Sequence, residues 1–253
     1  MQIIRIFARM TAFLALTIIT SFTIFIVLSG AFLVRRKEKA RQKIAHKLFN
    51  FFLKVTHFIM GIRIHWSGMS PKDPSVVMGN HRSYLDAVVI PTSFPVVFVG
   101  KHEAKSWPII GWGASVLGTI WVKRDNKVSR KATRIAVKDR FDSGYGVIIF
   151  PEGTTNKNPE LLPYRKGIFY SCAENGFQIA PVAIEYRDPD IAWVGGEWFI
   201  THTFRHLGAR YIDTYVSFGP IFKNNDAEKL IVDVRSWTQK ECIRLRGLIN
   251  SKS

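Results

Sequence analysis

The chain has 253 residues, with 36 Lys and Arg against 19 Asp and Glu, a formal charge of +17 and an isoelectric point near 10.1. A hydrophobic share of 47% excludes a mostly disordered chain, and a charged share of 22% argues against a polytopic membrane protein. The length suits one domain with a short appendage, and Cys172 and Cys242 are too few for a disulfide framework, so both read as reduced core residues of a cytosol-facing protein.

Residues 11–34 run for 24 positions without a charge, long enough for a bilayer-spanning helix, which needs about 20 apolar residues. Nine basic residues fall within 1–50 against Glu38 alone, and the densest cluster, 35–43, directly follows the apolar run. That order predicts a retained anchor whose basic end stays cytoplasmic and touches anionic headgroups. Arg5 and Arg9 oppose this orientation but are outnumbered. The rival reading is a cleaved signal peptide ending at Ser29-Gly30-Ala31; the length of the run and the positive charge behind it speak against that. Residues 45–64 then set Leu48, Phe51, Phe52, Val55, Phe58, Ile59 and Ile62 on one helical face, with Lys47, Lys54 and Arg63 able to reach headgroups. This is either the second member of a helix pair embedded in one leaflet or a core-packing helix. Residues 1–64 are therefore read as a membrane anchor and 65–253 as the folded domain.

From Trp66 onward, short β-branched runs alternate with amphipathic stretches. Strands are expected at 75–78, 96–99, 119–122, 147–150, 179–184 and 211–218, and helices at 84–91, 109–117, 128–142, 166–174 and 226–250. Asn225 is the expected cap of the last helix, with Glu228 three residues on. Such alternation predicts a single α/β domain with a largely parallel mixed sheet flanked by helices, in which functional groups gather where strands end.

Behind the first expected strand stands Gly79-Asn80-His81-Arg82-Ser83-Tyr84-Leu85-Asp86. A His with an Asp five positions on can form an oriented general base: the carboxylate holds one ring nitrogen while the other takes a proton. Alone, the spacing also fits a helix-start histidine in an ordinary hydrogen bond. Behind the fourth strand stands Phe150-Pro151-Glu152-Gly153-Thr154-Thr155-Asn156, offering a carboxylate and free amides suited to a polar headgroup, or simply a strand-ending turn. Both motifs sit at strand ends, as convergence on one site requires. Between them Arg124, also at a strand end, carries the donor fork that suits a phosphate; a solvated surface arginine is the bland alternative.

Together these segments resemble the glycerolipid acyltransferase family, typified by the 1-acylglycerol-3-phosphate acyltransferases. The family's NHxSxxD block is present as Asn80, His81, Ser83 and Asp86, and its second block as Lys101, Glu103, Pro108, Gly111 and Arg124. FPEGT is complete from Phe150 through Pro151, Glu152 and Gly153 to Thr154, a basic-Gly-aromatic element follows at Arg165-Lys166-Gly167-Ile168-Phe169, and Ile179-Ala180-Pro181-Val182 fits the fourth block. The resemblance covers about residues 66–220 and implies acyl transfer from a thioester, carried by coenzyme A or an acyl carrier protein, to a lysolipid hydroxyl. It implies His81 as the base, Asp86 as its orienting partner, and Lys101, Arg124, Glu152, Gly153 and Thr154 as substrate-binding residues. Asn80, Ser83 and Pro151 would support them, and amides near the histidine turn would stabilise the oxyanion. No covalent nucleophile, cofactor or metal is implied.

The segment from Trp193 to His206 looks like one found in family members that acylate other lysolipids, lyso-ornithine lipid among them; an aromatic membrane-facing loop is the plain alternative. 1-Acyl-sn-glycerol-3-phosphate remains the expected acceptor, with phosphatidic acid as product and the inner face of the cell membrane as location. A membrane-tethered nucleic-acid binder would use the same charge, but here the charge peaks beside an apolar run rather than among aromatics, so no nucleic-acid partner is expected. A serine lipid hydrolase lacks its Gly-x-Ser-x-Gly elbow in this chain.

Overall fold

Alternate residues of the central strands enter two different apolar clusters, and this sorts the helices onto two faces of one sheet. The computed structural model describes residues 2–30, 38–107 and 110–251. Residues 31–37, Pro108 and Ile109 lie outside them, and with them the end of the expected 11–34 helix and the start of the basic cluster. Seven strands, β1 Ile62–Ser67, β2 Val76–Gly79, β3 Val96–Lys101, β4 Ile120–Val122, β5 Gly146–Ile149, β6 Ile179–Tyr186 and β7 Ile212–Phe218, lie in the order β1-β7-β6-β2-β5-β3-β4. All neighbours are parallel except β6 and β7. Every residue of β6 is buried, the property of a strand covered on both faces.

Val76, Met78, Val147, Ile179 and Ala183 point to one side, under α5 (Lys127–Asp142), α6 (Gly167–Asn175) and α8 (Ala227–Asn250). Val77, Ile148, Ala180, Val182 and Ile184 point to the other, under α1 (Gln2–Gly30), α2 (Glu38–Met60), α3 (Asp86–Val89) and α7 (Phe199–Leu207). A fully buried core side chain such as Phe169 contributes about 1.5–3 kcal/mol over leaving it in water. The short α4 (Ile110–Val116) packs on α1 near the rim.

The structure departs from the sequence reading at four elements. The first helix begins at Gln2 rather than 11, so Arg5 and Arg9 lie within it. Arg9 donates to the carbonyls of Leu207 (2.8 Å), Ala209 (2.5 Å) and Arg210 (3.0 Å), and Arg5 to Gly208 (3.1 Å). The two cations thus cap the orphan carbonyls at the end of α7, where a helix favours positive charge. The second helix ends at Met60, not 64, because Gly61 takes a left-handed φ of 70° and Ile62–Ser67 pairs with β7 as an unexpected strand. Residues 199–207, taken for a loop, form α7, whose His202, His206 and Leu207 recur at helical spacing and are buried. The cap of α8 is Asp226, which accepts from the Glu228 and Lys229 amides; the adjacent Asn225 does not serve.

Candidate active site

Strand β2 ends at Gly79, and the next residue fastens the turn: Asn80 Nδ2 donates to the Ile184 carbonyl and its Oδ1 accepts from the Ile184 amide, both at 2.8 Å. The chain then delivers His81 beside Asp86, with Nδ1 and Oδ2 2.8 Å apart. The same Oδ2 accepts the amides of Arg82 (2.6 Å) and Ser83 (2.9 Å), while Oδ1 accepts the Tyr186 hydroxyl at 2.7 Å. Burial, then the Asp86 charge, holds the Tyr186 phenol well above its usual range, so it stays a donor. Four donors converge on a carboxylate with no solvent exposure. Their geometry assigns the shared proton to Nδ1 and leaves the Nε2 lone pair for chemistry.

The imidazole is held on its flat side as well. It stacks on Phe150 with centroids 4.2 Å apart and planes 10° from parallel, keeping 16% of its side-chain surface open. Among the described residues Nε2 has no hydrogen-bond partner. The two strand-end motifs therefore meet: β5 lies next to β2, the His81 amide donates to Glu152 Oε1 at 2.9 Å, and the Asn156 amide donates to the His81 carbonyl at 2.8 Å.

Glu152 is engaged by the protein itself. Its second oxygen accepts the Leu162 amide (2.9 Å) and Asn156 Nδ2 (3.4 Å), and the residue is buried. Pro151 accepts the Arg165 amide at 2.8 Å. Gly153 has a φ of 73°, and a Cβ there would collide with Nε of Arg165, so that guanidinium lies across the glycine. Burial, then the nearby Arg165 charge, lowers the Arg124 guanidinium from its usual range. Arg165 thus lies over the glycine that follows Glu152, the residue bonded to the His81 amide, and Arg124 lies within electrostatic reach of Arg165; the two make a cationic rim on the Glu152 side of the site. Thr154 is exposed beside it, and the buried Ser83 Oγ has no hydrogen-bond partner. Lys101 points to solvent at the end of β3, 3.9 Å from Glu103, and no contact among the described residues joins it to His81.

The amides expected to stabilise an oxyanion are taken: His81 N by Glu152, and those of Arg82 and Ser83 by Asp86. Their geometry fixes the histidine turn instead.

Three residues of weight escape a sequence reading. Arg82, unremarkable within its motif, is 2% exposed and reaches the carbonyls of Asn156 and Asn158, each at 2.8 Å, and Glu185 Oε1 at 2.7 Å. Glu185 also meets Arg246 Nε at 3.2 Å. With Tyr186 these residues tie β6 to both motifs; the one available signal was two polar residues ending the apolar run of β6.

The Trp193–His206 segment borders the site. Trp193 N donates to the Arg82 carbonyl at 2.9 Å, Thr155 Oγ1 donates to the Trp193 carbonyl, and the rings of Tyr84, Trp107, Trp193 and Phe199 form one aromatic wall. His202 engages its nitrogens with the Tyr84 hydroxyl (3.2 Å) and the Asp190 carbonyl (3.1 Å). Burial lowers both His202 and His206 from the usual histidine range and raises the Tyr84 phenol to about 12. These two histidines hold α7 against the site wall.

Comparison with known proteins is consistent along the same stretch. Residues 61–185 match the family model described as Acyltransferase. Lyso-ornithine lipid O-acyltransferases from Pseudomonas aeruginosa and Rhodobacter capsulatus are 31% and 32% identical, covering 56% and 64% of this chain and 56% and 62% of their own lengths. A 1-acyl-sn-glycerol-3-phosphate acyltransferase from Neisseria gonorrhoeae is 31% identical over 47% of this chain and 48% of its own. The chain thus matches about half to three-fifths of these curated relatives. The crystal structure of the 1-acyl-sn-glycerophosphate (LPA) acyltransferase PlsC from Thermotoga maritima shares the fold, with a TM-score of 0.63 at 19% identity, covering 94% of this chain and 98% of that one.

Proposed function

Because residues 61–185 belong to the acyltransferase family, we propose that this protein moves a fatty acyl chain from a thioester to the free hydroxyl of a lysolipid, 1-acyl-sn-glycerol-3-phosphate first among them. The observation that carries the reading is the His81–Asp86 pair, with Nε2 left free among the described residues and Arg165, in electrostatic reach of Arg124, lying over Gly153 of the adjoining motif. Nε2 takes the proton of the acceptor hydroxyl as its oxygen attacks the thioester carbonyl. The carbon–sulfur bond then breaks, and the imidazolium returns the proton to the departing thiolate. Asp86 supports the imidazolium, and Phe150 keeps the ring in register. The thioester is already activated, so no covalent enzyme intermediate is needed; the buried Cys172 thiol, pushed up to about 12 by burial, is suited to none.

On this reading Arg124 and Arg165 receive the phosphate through their donor forks, while Glu152 positions His81 and the 152–162 loop rather than touching substrate. Lyso-ornithine lipid is the second acceptor reading. It is favoured by the names of two relatives and by Glu103, whose charge is felt at Arg124 and could meet the ornithine amine while the arginines take the carboxylate. Coenzyme A or an acyl carrier protein supplies the acyl group, and no cofactor is required.

The apolar helix α1, long and apolar enough over Gln2–Thr23 to cross a membrane, holds the protein at the cell membrane with the site toward the cytoplasm. Single cysteines at Lys157 and at the C-terminus should label from the cytoplasmic side of sealed vesicles only; labelling from outside would overturn this topology. The test of the reaction is acyl transfer by purified protein to both acceptors, with His81→Ala as the control. His81→Ala should fold and show no turnover above background, and near-normal turnover in that variant would sink the mechanism.

A further inference from the structure

The segment from Lys123 to Arg134 carries Lys123, Arg124, Lys127, Arg130, Lys131 and Arg134 against Asp125 alone. Elsewhere some exposed cations are paired, as Lys101 with Glu103, Lys157 with Asp190, Lys166 with Glu228, Arg205 with Glu197 and Arg244 with Glu241, while others such as Lys54, Lys72 and Lys223 stand singly without an acid among the described residues; what sets this segment apart is the density of its cations. Among the described residues, Lys123, Lys127, Arg130, Lys131 and Arg134 make no ion pair. A stripe of five unpaired cations repels itself, a cost that a purely structural helix face would shed.

The same face of α5 exposes two apolar side chains, Val128 at 77% and Ile135 at 55%, seven residues and so two turns apart. Lys127, Lys131 and Arg134 flank them at helical spacing. An apolar pair framed by cations is the complement of an acidic amphipathic helix.

The face also continues into the site. Arg130 Nη1 donates to the Arg124 carbonyl at 2.8 Å, and the Arg134 side chain passes 3.9 Å from where a Cβ of Gly167 would stand, two residues after Arg165. It is, however, turned away from the membrane helices. Val137 of α5 buries itself in the cluster shared with α6 and α8, whereas Met60 of α2 and the α1 residues Ile6, Met10 and Phe13 pack on the opposite side of the sheet. A bilayer that receives α1 and α2 therefore lies across the sheet from this stripe, and a soluble partner can reach it.

We propose that the basic face of α5 docks an acidic acyl carrier protein, which presents its thioester arm to His81 over the rim formed by Arg124 and Arg165. The purpose of the docking rests on the acyl-transfer reading; the docking itself is measured by binding alone. Long-range attraction to a carrier of opposite charge would speed encounter and make it salt-sensitive.

The test uses the full chain in phosphatidylethanolamine–phosphatidylglycerol nanodiscs and a fluorescently labelled, palmitoyl-loaded acyl carrier protein. Lys127→Glu/Lys131→Glu puts acidic residues into the first two turns of α5, where a helix accepts them, so folding is preserved. Binding should weaken at least ten-fold in this variant and in native protein at high salt. It should stay within two-fold in Lys229→Glu/Lys240→Glu, which makes the same charge change on the exposed face of α8. Val128→Ser/Ile135→Ser should also weaken binding. The KM for palmitoyl carrier protein should rise with the loss of binding, while that for palmitoyl-CoA stays within two-fold. Unchanged binding in the α5 variant, equal loss in both charge pairs, or equal loss with both donors would overturn the proposal. So would loss of anionic-vesicle binding in place of carrier binding, since the face would then belong to the membrane. Intact, Lys127-dependent binding without turnover from either donor would uphold the docking and overturn the acyl-transfer reading.

Discussion

Replacing Asp86 by Asn removes one charge from a site where four donors meet, and the geometry fixes how the amide must sit. Oδ2 accepts from His81 Nδ1, Arg82 N and Ser83 N, whereas Oδ1 accepts from the Tyr186 hydroxyl alone. An amide NH2 in the Oδ2 position would face three donors, two of them backbone groups that cannot turn. In the Oδ1 position it faces a hydroxyl that can rotate to accept. The amide oxygen of the variant therefore stays on His81, the proton stays on Nδ1, and what is lost is the negative charge behind the imidazolium. A hydrogen bond to a charged group contributes about 1.5–3 kcal/mol, which corresponds to a fall in kcat of roughly 10- to 150-fold. That is well short of the roughly 10⁴-fold loss that follows in a serine protease when the analogous change inverts the tautomer. Steady-state assays with 1-acyl-sn-glycerol-3-phosphate and palmitoyl-CoA read it directly: kcat falls within that range and both KM values hold. A loss near 10⁴-fold would show that the ring tautomer is not pinned by this cage, and unchanged kcat would remove Asp86 from the mechanism.

Arg124→Ala should raise the KM for the phosphate-bearing acceptor about ten-fold or more and that for the acyl donor by less than three-fold, as side-by-side titrations would show. Gly153→Ala forces a side chain into a left-handed backbone, at a cost of about 1–2 kcal/mol, and displaces Arg165; thermal melting and acceptor KM should both register it. Arg82→Leu leaves Glu185 buried with Arg246 as its remaining cation, so the loss should sit near the lower end of the roughly 3–5 kcal/mol seen for broken buried pairs. That corresponds to a Tm lower by roughly 6–12 °C for a domain of this size, and Glu185→Leu added to it should recover part.

The parts of this fold that were legible in the sequence are those whose signal is local. β5 and β6 announce themselves as unbroken apolar runs because strands covered on both faces need no alternation. α8 shows its helical period within a single segment, though the sequence pattern puts its cap one residue early, at Asn225 instead of Asp226. β1 was hidden because its six residues continue the apolar tail of α2, and only Gly61 marks the break. α7 was hidden because its inward face is built partly from the buried His202 and His206, and His202 counts as polar until its partners Tyr84 and Asp190 are in view. The same limit holds at the site. His81 and Asp86 are close in sequence, so their pairing could be read there. The roles of Arg82, Glu185 and Tyr186 depend on bonds across about a hundred residues, such as that from Tyr186 to Asp86, and no spacing rule carries them.

Every fourth residue of the first helix, from Arg5 to Ser21, faces protein rather than lipid. Arg5 and Arg9 cap α7, Phe13 lies 6.2 Å from Phe52 of α2, and Thr17 and Ser21 approach Gly113 of α4 so closely that a Cβ there would stand 2.9 Å from the Ser21 hydroxyl. The remaining surface of α1 exposes Ile4, Phe7, Ile18, Phe22 and Phe25. A helix free to cross a bilayer alone would have to give up the arginine hydrogen bonds and leave two guanidinium groups to find new partners, at a cost of several kcal/mol. Keeping them favours a helix that lies in one leaflet with its protein-facing stripe intact. The two elements it braces, α7 and α4, are also those that flank Trp107, Trp193 and Phe199, so the membrane contact and the aromatic wall of the site share one support. On the proposed reading, an acceptor lipid held in that leaflet would be presented to the site from the side that the aromatic wall borders, and changes to the protein-facing stripe of α1 should be felt at Trp107 and Trp193 through α4 and α7.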